Sequence, residues 1–158
     1  MTVTTASARA WAETILRQLD APGGHALSVT AGPPSRSSPD VPPADSAYTS
    51  RLHLGPSPEQ VFPPTGTHGT GVLLTLTFDD GSEVAVHLDG SMAPVEAIVL
   101  LAGQLQDAVM EHTGGVPAPP CPAAGHGHPA VARALDSTAC WTCPRNGASR
   151  PILPGTAG

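Results

Sequence analysis

Val72-Leu73-Leu74-Thr75-Leu76-Thr77-Phe78-Asp79-Asp80-Gly81-Ser82-Glu83-Val84-Ala85-Val86-His87-Leu88 is the stretch that decides the fold. Val72, Leu74, Leu76 and Phe78 alternate with Leu73, Thr75 and Thr77, and Val84, Val86 and Leu88 resume the apolar face after the break. Successive side chains of a strand point to opposite faces, so this period of two predicts two half-buried strands. Asp79-Asp80-Gly81-Ser82 between them is turn chemistry, and the whole predicts an antiparallel hairpin with one face on a core. Glu83, Ala85 and His87 then take the other face, with His87 a strand-surface residue. Asp79 and Asp80 are expected as turn residues rather than a catalytic carboxylate pair.

Helical periods flank the hairpin. Ala8, Trp11, Ala12, Ile15 and Leu19 fall on one face of a helix over about Thr5 to Leu19, which Pro22-Gly23-Gly24 ends. A short strand is expected from Ala26 to Thr30. A second helix is expected from Pro94 to Glu111, with Ser91 as a nearby cap, Pro94 at the first position and Glu96 at the positive end. Its buried stripe is Val95, Ile98, Val99, Ala102, Leu105 and Val109, widened by Leu100 and Leu101; Gly114-Gly115 ends it. Between the first strand and the hairpin, residues 31–66 hold nine prolines in 36 positions, mixed with Ser, Gly and Asp. Such a segment buries too little apolar area to offset its ordering entropy, so a long loop is expected there, with Tyr48 to Leu54 as a weak edge strand.

Composition narrows the classes. The formal charge is −6, from 13 acidic and 7 basic residues, and every basic residue is Arg. Affinity for nucleic acid comes largely from cations facing phosphates, so this balance argues against such a surface. The aromatics are five, Trp11, Tyr48, Phe62, Phe78 and Trp141, so the core must be mainly aliphatic. No stretch approaches the roughly 20 apolar residues of a membrane span, and Arg9, Glu13 and Arg17 interrupt any candidate signal peptide. A cytoplasmic location is expected. Without Lys there is no phosphate-binding Gly-rich loop ending in Lys. Gly66, Gly69 and Gly71 stand before a strand rather than after one, the wrong order for a dinucleotide motif.

The chemistry sits in the last quarter. All three cysteines are there, Cys121, Cys140 and Cys143, together with His126 and His128. Thiolate and imidazole are the ligands Zn²⁺ prefers, and a structural site takes four. Cys121-Pro122-Ala123-Ala124-Gly125-His126 offers one turn; Cys140-Trp141-Thr142-Cys143-Pro144, with Gly147 beyond, offers another. Val131 to Leu135 and Thr138 to Trp141 are expected to pair as strands, bending at Asp136-Ser137. Residues 119–147 resemble the zinc-ribbon and zinc-knuckle group. The resemblance implies a closed Cys₃His site on Cys121, His126, Cys140 and Cys143, with His128 as the alternative or an outer hydrogen-bond donor. The departure from that group is at the first pair, where four residues separate Cys121 from His126 and six separate it from His128. With three thiolates the site would carry one net negative charge, which Arg133 or Arg145 would offset.

Catalytic zinc patterns are absent. His126-Gly127-His128 lacks the Glu of base deaminases, there is no His-Glu-x-x-His, and four protein ligands leave no place for a reacting water. Cys140-Trp141-Thr142-Cys143 as a redox pair lacks a βαβ setting and a helix start to lower its thiol pKa. The expected architecture is therefore α+β: a core domain over residues 1–116 containing the Pro-rich loop, a zinc-binding hairpin module over 117–147, and a flexible tail over 148–158. The expected role is that of a non-enzymatic adaptor or accessory protein, binding a protein partner or a second copy of itself, with Trp141 as the exposed anchor. The alternatives are a nucleic-acid-binding zinc-ribbon regulator, a structural part of a phage or mobile-element assembly, and a zinc hydrolase.

Overall fold

In a computed structural model, residues 2–32 and 71–153 are described. They form an α+β arrangement in the order α1 (Thr5–Gln18), β1 (Ala26–Gly32), β2 (Gly71–Thr77), β3 (Glu83–Leu88), α2 (Pro94–His112), β4 (Val131–Leu135), β5 (Thr138–Thr142) and β6 (Ser149–Pro151). The strands make two antiparallel three-stranded sheets, β1-β2-β3 and β4-β5-β6. The expected loop over 31–66 and the edge strand at Tyr48 to Leu54 lie, apart from Ala31 and Gly32, outside the described residues.

The hairpin follows its alternation. Val72 pairs with Leu88, Leu74 with Val86 and Leu76 with Val84, so one face of both strands carries every large aliphatic but Leu73. Leu74, Leu76 and Leu88 are fully buried. At the turn, Asp80 Oδ1 accepts from the Ser82 N–H at 2.9 Å and from its hydroxyl at 2.6 Å, the local bond that makes Asp a turn residue. These bonds, the hydroxyl's first, hold the Asp80 carboxyl below its usual range.

Helix α1 opens on a reciprocal cap, in which the Ser7 N–H donates to Thr4 Oγ1 and the Thr4 N–H to Ser7 Oγ. It closes with Asp20 in the left-handed region at φ 51° and the Ala21 N–H on the Leu16 carbonyl. In α2 the cap position is Ala93 rather than Ser91, whose hydroxyl and N–H both go to Asp89 Oδ1. Ala97, Ile98, Leu101, Ala102, Leu105, Gln106 and Val109 are its buried residues; Leu100 stays exposed.

One core joins both sheets to both helices. Ala139, Trp141 and Ile152 pack in the same cluster as Ile15, Leu74 and Leu105. Two glutamines add specific ties. Gln18, at the end of α1, accepts from Trp141 Nε1 and donates to the Ile152 carbonyl, both at 2.6 Å. Gln106, buried on α2, donates to the carbonyls of Ala118 and Ala130 at 2.8 and 2.6 Å. The hairpin expected as a separate module from residue 117 thus lies in the same compact unit as the helices. Ser149–Pro151, expected in a flexible tail, is the third strand of its sheet, and Ile152 is fully buried.

Trp141 is also placed otherwise than expected. It is fully buried rather than an exposed anchor. Ala139 and Trp141 share one face of β5, and the Nε1 bond to Gln18 turns that face toward the helices.

Candidate metal centre

Cys121, His126, His128 and Cys143 each bring one donor atom to within 4.8 Å of all the others. Cys143 Sγ stands 3.3 Å from His126 Nδ1 and 3.8 Å from His128 Nε2. Cys121 Sγ is 3.7 Å from His126 Nδ1, and the two histidine nitrogens are 3.3 Å apart. Cys143 is buried and the other three are half-buried. This group can hold a metal ion.

Two matching turns present the sulfurs. Cys121-Pro122-Ala123-Ala124-Gly125 and Cys143-Pro144-Arg145-Asn146-Gly147 share the pattern Cys-Pro-x-x-Gly, and both glycines sit at φ 76°. That left-handed backbone costs other residues about 1–2 kcal/mol. It allows the chain to curl so that N–H groups face the sulfur. The Ala123 N–H points at Cys121 Sγ at 3.4 Å, and the N–H groups of Arg145 and Asn146 bond to Cys143. The second turn is closed by Gly147 N–H on the Cys143 carbonyl and by Cys143 N–H on the Ala148 carbonyl.

The electrostatics differ between the two sulfurs. Burial pushes the Cys143 thiol up, but the N–H groups of Asn146 and Arg145, with Cys121 and His126 beside it, outweigh that and bring it down to about 6. Burial raises the Cys121 thiol, and one N–H from Ala123 offsets this only in part.

The histidines are carried on a loop with a fastened base. Ala130 N–H donates to the Pro119 carbonyl at 3.0 Å, Pro120 and Pro129 pair as a bridge, and Gln106 holds the carbonyls on both sides. His128 Nδ1 lies 2.9 Å from the Pro129 carbonyl. A carbonyl only accepts, so Nδ1 carries the proton and the Nε2 lone pair faces the cluster, as a metal-ligating imidazole requires.

Cys140, expected as a ligand, lies outside this group, and His128 stands in it instead. The reason is strand parity. A ligand pair spaced Cys-x-x-Cys points one way only if the chain turns between the two. Here β5 runs extended through Thr142, so Cys140 and Trp141 take opposite faces, and only after the strand does the chain turn at Cys143. Cys140 sits between Arg133 and Pro151 on neighbouring strands, buried, its thiol pushed up by that burial and by the charge of Asp136. The repeated Cys-Pro-x-x-Gly was the available signal, since it marks Cys121 and Cys143 as equivalent and leaves Cys140 out.

Asp79, Asp80 and His112 form a second group of polar ligand types. The His112 ring stacks on Phe78 at 4.2 Å, with Nε2 3.5 Å from Asp79 and Nδ1 3.5 Å from Asp80. Each carboxylate meets a different ring nitrogen. This arrangement ties the hairpin turn to the end of α2; one donor atom from each residue also lies within 4.8 Å of the other two, but both carboxylates are exposed and held by these local contacts.

Comparison of the chain with family models, with curated proteins and with solved structures finds no match. Among the described residues no helix is long and apolar enough to cross a membrane.

Proposed function

We propose that the chain is a non-enzymatic accessory protein whose C-terminal sheet is stapled by a structural Zn²⁺ on Cys121, His126, His128 and Cys143. The observation that carries this is the set of donor distances. Zinc bonds of about 2.3 Å to sulfur and 2.0–2.1 Å to nitrogen, at tetrahedral angles, give edges of about 3.3 Å for N···N and about 3.6 Å for S···N. The N···N edge is 3.3 Å and three of the four S···N edges run from 3.3 to 3.8 Å. The paired turns, each aiming N–H groups at a sulfur, support a zinc-knuckle kinship. Two thiolates and two neutral imidazoles balance the charge of the ion, so no arginine is needed to offset an excess.

Four protein donors fill a tetrahedral sphere and leave no position for a substrate or reacting water, which favours a structural over a catalytic ion. The role is then contact with another protein. With Trp141 internal, the surface that fits is the outer face of the C-terminal sheet, where Val131 and Leu135 are exposed on the same side of β4.

Metal analysis of protein purified under reducing conditions tests the centre. The expected result is one zinc per chain, lost in Cys143→Ser and His128→Ala and kept in Cys140→Ser. Loss of zinc in Cys140→Ser with retention in His128→Ala would overturn the ligand set. Val131→Asp with Leu135→Asp tests the surface: any partner or second copy that binds must bind more weakly, with zinc content unchanged.

A further inference from the structure

Of the four donors, the two cysteine sulfurs are the ones a hydroperoxide oxidises most readily. We infer that Cys121 and Cys143 are a disulfide-forming pair, so that a hydroperoxide converts the metal staple into a covalent one between the same two turns. This rests on the proposed centre for its metal-bound starting state, but the juxtaposition of the sulfurs does not depend on any ion.

Three observations select the pair. Both sulfurs belong to the group whose donor atoms all lie within 4.8 Å of one another, and Cys140 does not. Cys121 and Cys143 stand on separate turns, so their bond would tie the base of the histidine loop to the end of β5, the same two places the four donors connect. Accessibility also differs: Cys121 is half-buried, whereas Cys140 and Cys143 are buried. A disulfide needs its sulfurs at about 2.0 Å, so from within 4.8 Å the bond requires side-chain rotation and a shift of the turns toward each other.

The Cys121 thiolate attacks one oxygen of hydrogen peroxide, the O–O bond breaks, and Cys121 becomes a sulfenic acid while hydroxide leaves and is protonated to water. The Cys143 thiolate then attacks the sulfenic sulfur, the S–S bond forms, and a second hydroxide leaves as water. Two electrons pass from the two sulfurs to the peroxide, and the zinc keeps its charge. With two of its four donors consumed, the ion departs. Cys121, half-buried where Cys143 is buried, is the sulfur that peroxide reaches and oxidises first, and Cys143 resolves it.

Reduced, zinc-loaded wild-type protein is treated with hydrogen peroxide, zinc release is followed with a chromogenic chelator, and the products are mapped by mass spectrometry. Cleavage after Arg133 and after Trp141 separates the three cysteines. One Cys121–Cys143 disulfide per zinc released is expected, reversed by a dithiol with added zinc, and Cys140→Ser should behave as wild type. A disulfide that includes Cys140, or zinc release with sulfinic acid and no disulfide, overturns the inference. If the reduced protein carries no zinc, the metal reading fails by itself. The pair is then tested on the metal-free chain by mass alone, where failure to form the Cys121–Cys143 bond overturns it.

Discussion

At the scale of single residues, the centre is decided by which way a few side chains point. His128 is fixed by the Pro129 carbonyl, whereas His126 follows Gly125 and precedes Gly127, with open space around both glycines. Losing His128 should therefore cost more metal affinity than losing His126. A competition titration with a chromophoric chelator should show the larger drop, 10-fold or more beyond the other, in His128→Ala. The thiols make a second prediction. The folded Cys143 pKa of about 6 lies below its ordinary value of 9.0, so its thiolate stabilises the metal-free fold fully above pH 9. That contribution falls as pH drops and is gone below about 6. Ultraviolet titration of metal-free protein should show one thiolate forming near pH 6, and the step should vanish in Cys143→Ser. The sequence singled out Cys121, His126 and Cys143, which the fold does bring into one cluster of donor atoms. It misplaced Cys140 because spacing along the chain does not report which face of a strand a side chain takes.

At the scale of elements, local patterns carried most of the information. The alternation of Val72 to Leu88 fixed two strands and their common face, and the Asp136-Ser137 bend fell between β4 and β5 as its position implied. Those two residues hold φ 45° and 66°, a turn that glycine fills without strain. Ser137→Gly should raise stability by about 0.5–1 kcal/mol in urea unfolding, since relief of the left-handed cost exceeds the entropy glycine loses. Gly71 shows the reverse. A Cβ there would collide with His87 Nε2 and stand 3.0 Å from the Leu88 carbonyl, so Gly71→Ala should lower stability by about 1–3 kcal/mol. The short β6 was not legible, because Ser-Arg-Pro has no alternation to read and is a strand only through its pairing with β5. The α2 stripe was right at Ile98, Ala102, Leu105 and Val109. It missed Gln106, a polar residue whose burial depends on two carbonyls distant in the chain.

For the whole molecule, the consequence is that the proposed metal centre and the shared core are coupled. Removing the ion frees the two Cys-Pro-x-x-Gly turns from each other, while Trp141 and Ile152 remain tied to α1 through Gln18. A ligand present at a thousand times its Kd stabilises by about 4 kcal/mol. Chelation should accordingly lower the melting temperature by on the order of 10 °C or more. In a Trp11→Phe background, the fluorescence of Trp141 should follow that thermal transition. Gln18→Leu strands the indole N–H and the Ile152 carbonyl, each an orphan costing about 1–3 kcal/mol. It should loosen that sheet even with metal bound, whereas a sheet docked only by the ion would be indifferent to it.

The sequence by itself determined the helices, the first hairpin, the α+β class and the crowding of metal-type ligands near the C-terminus. These follow from periodicity and turn chemistry, which act over a few neighbouring residues. Only the tertiary structure decided that the C-terminal sheet shares the core, that Trp141 faces inward, and that His128 rather than Cys140 completes the cluster. Each of those outcomes depends on how a strand is rotated when it packs against two helices, one of them more than a hundred residues away in the chain. Local patterning leaves that rotation open, and burial of the Trp141 face fixes it.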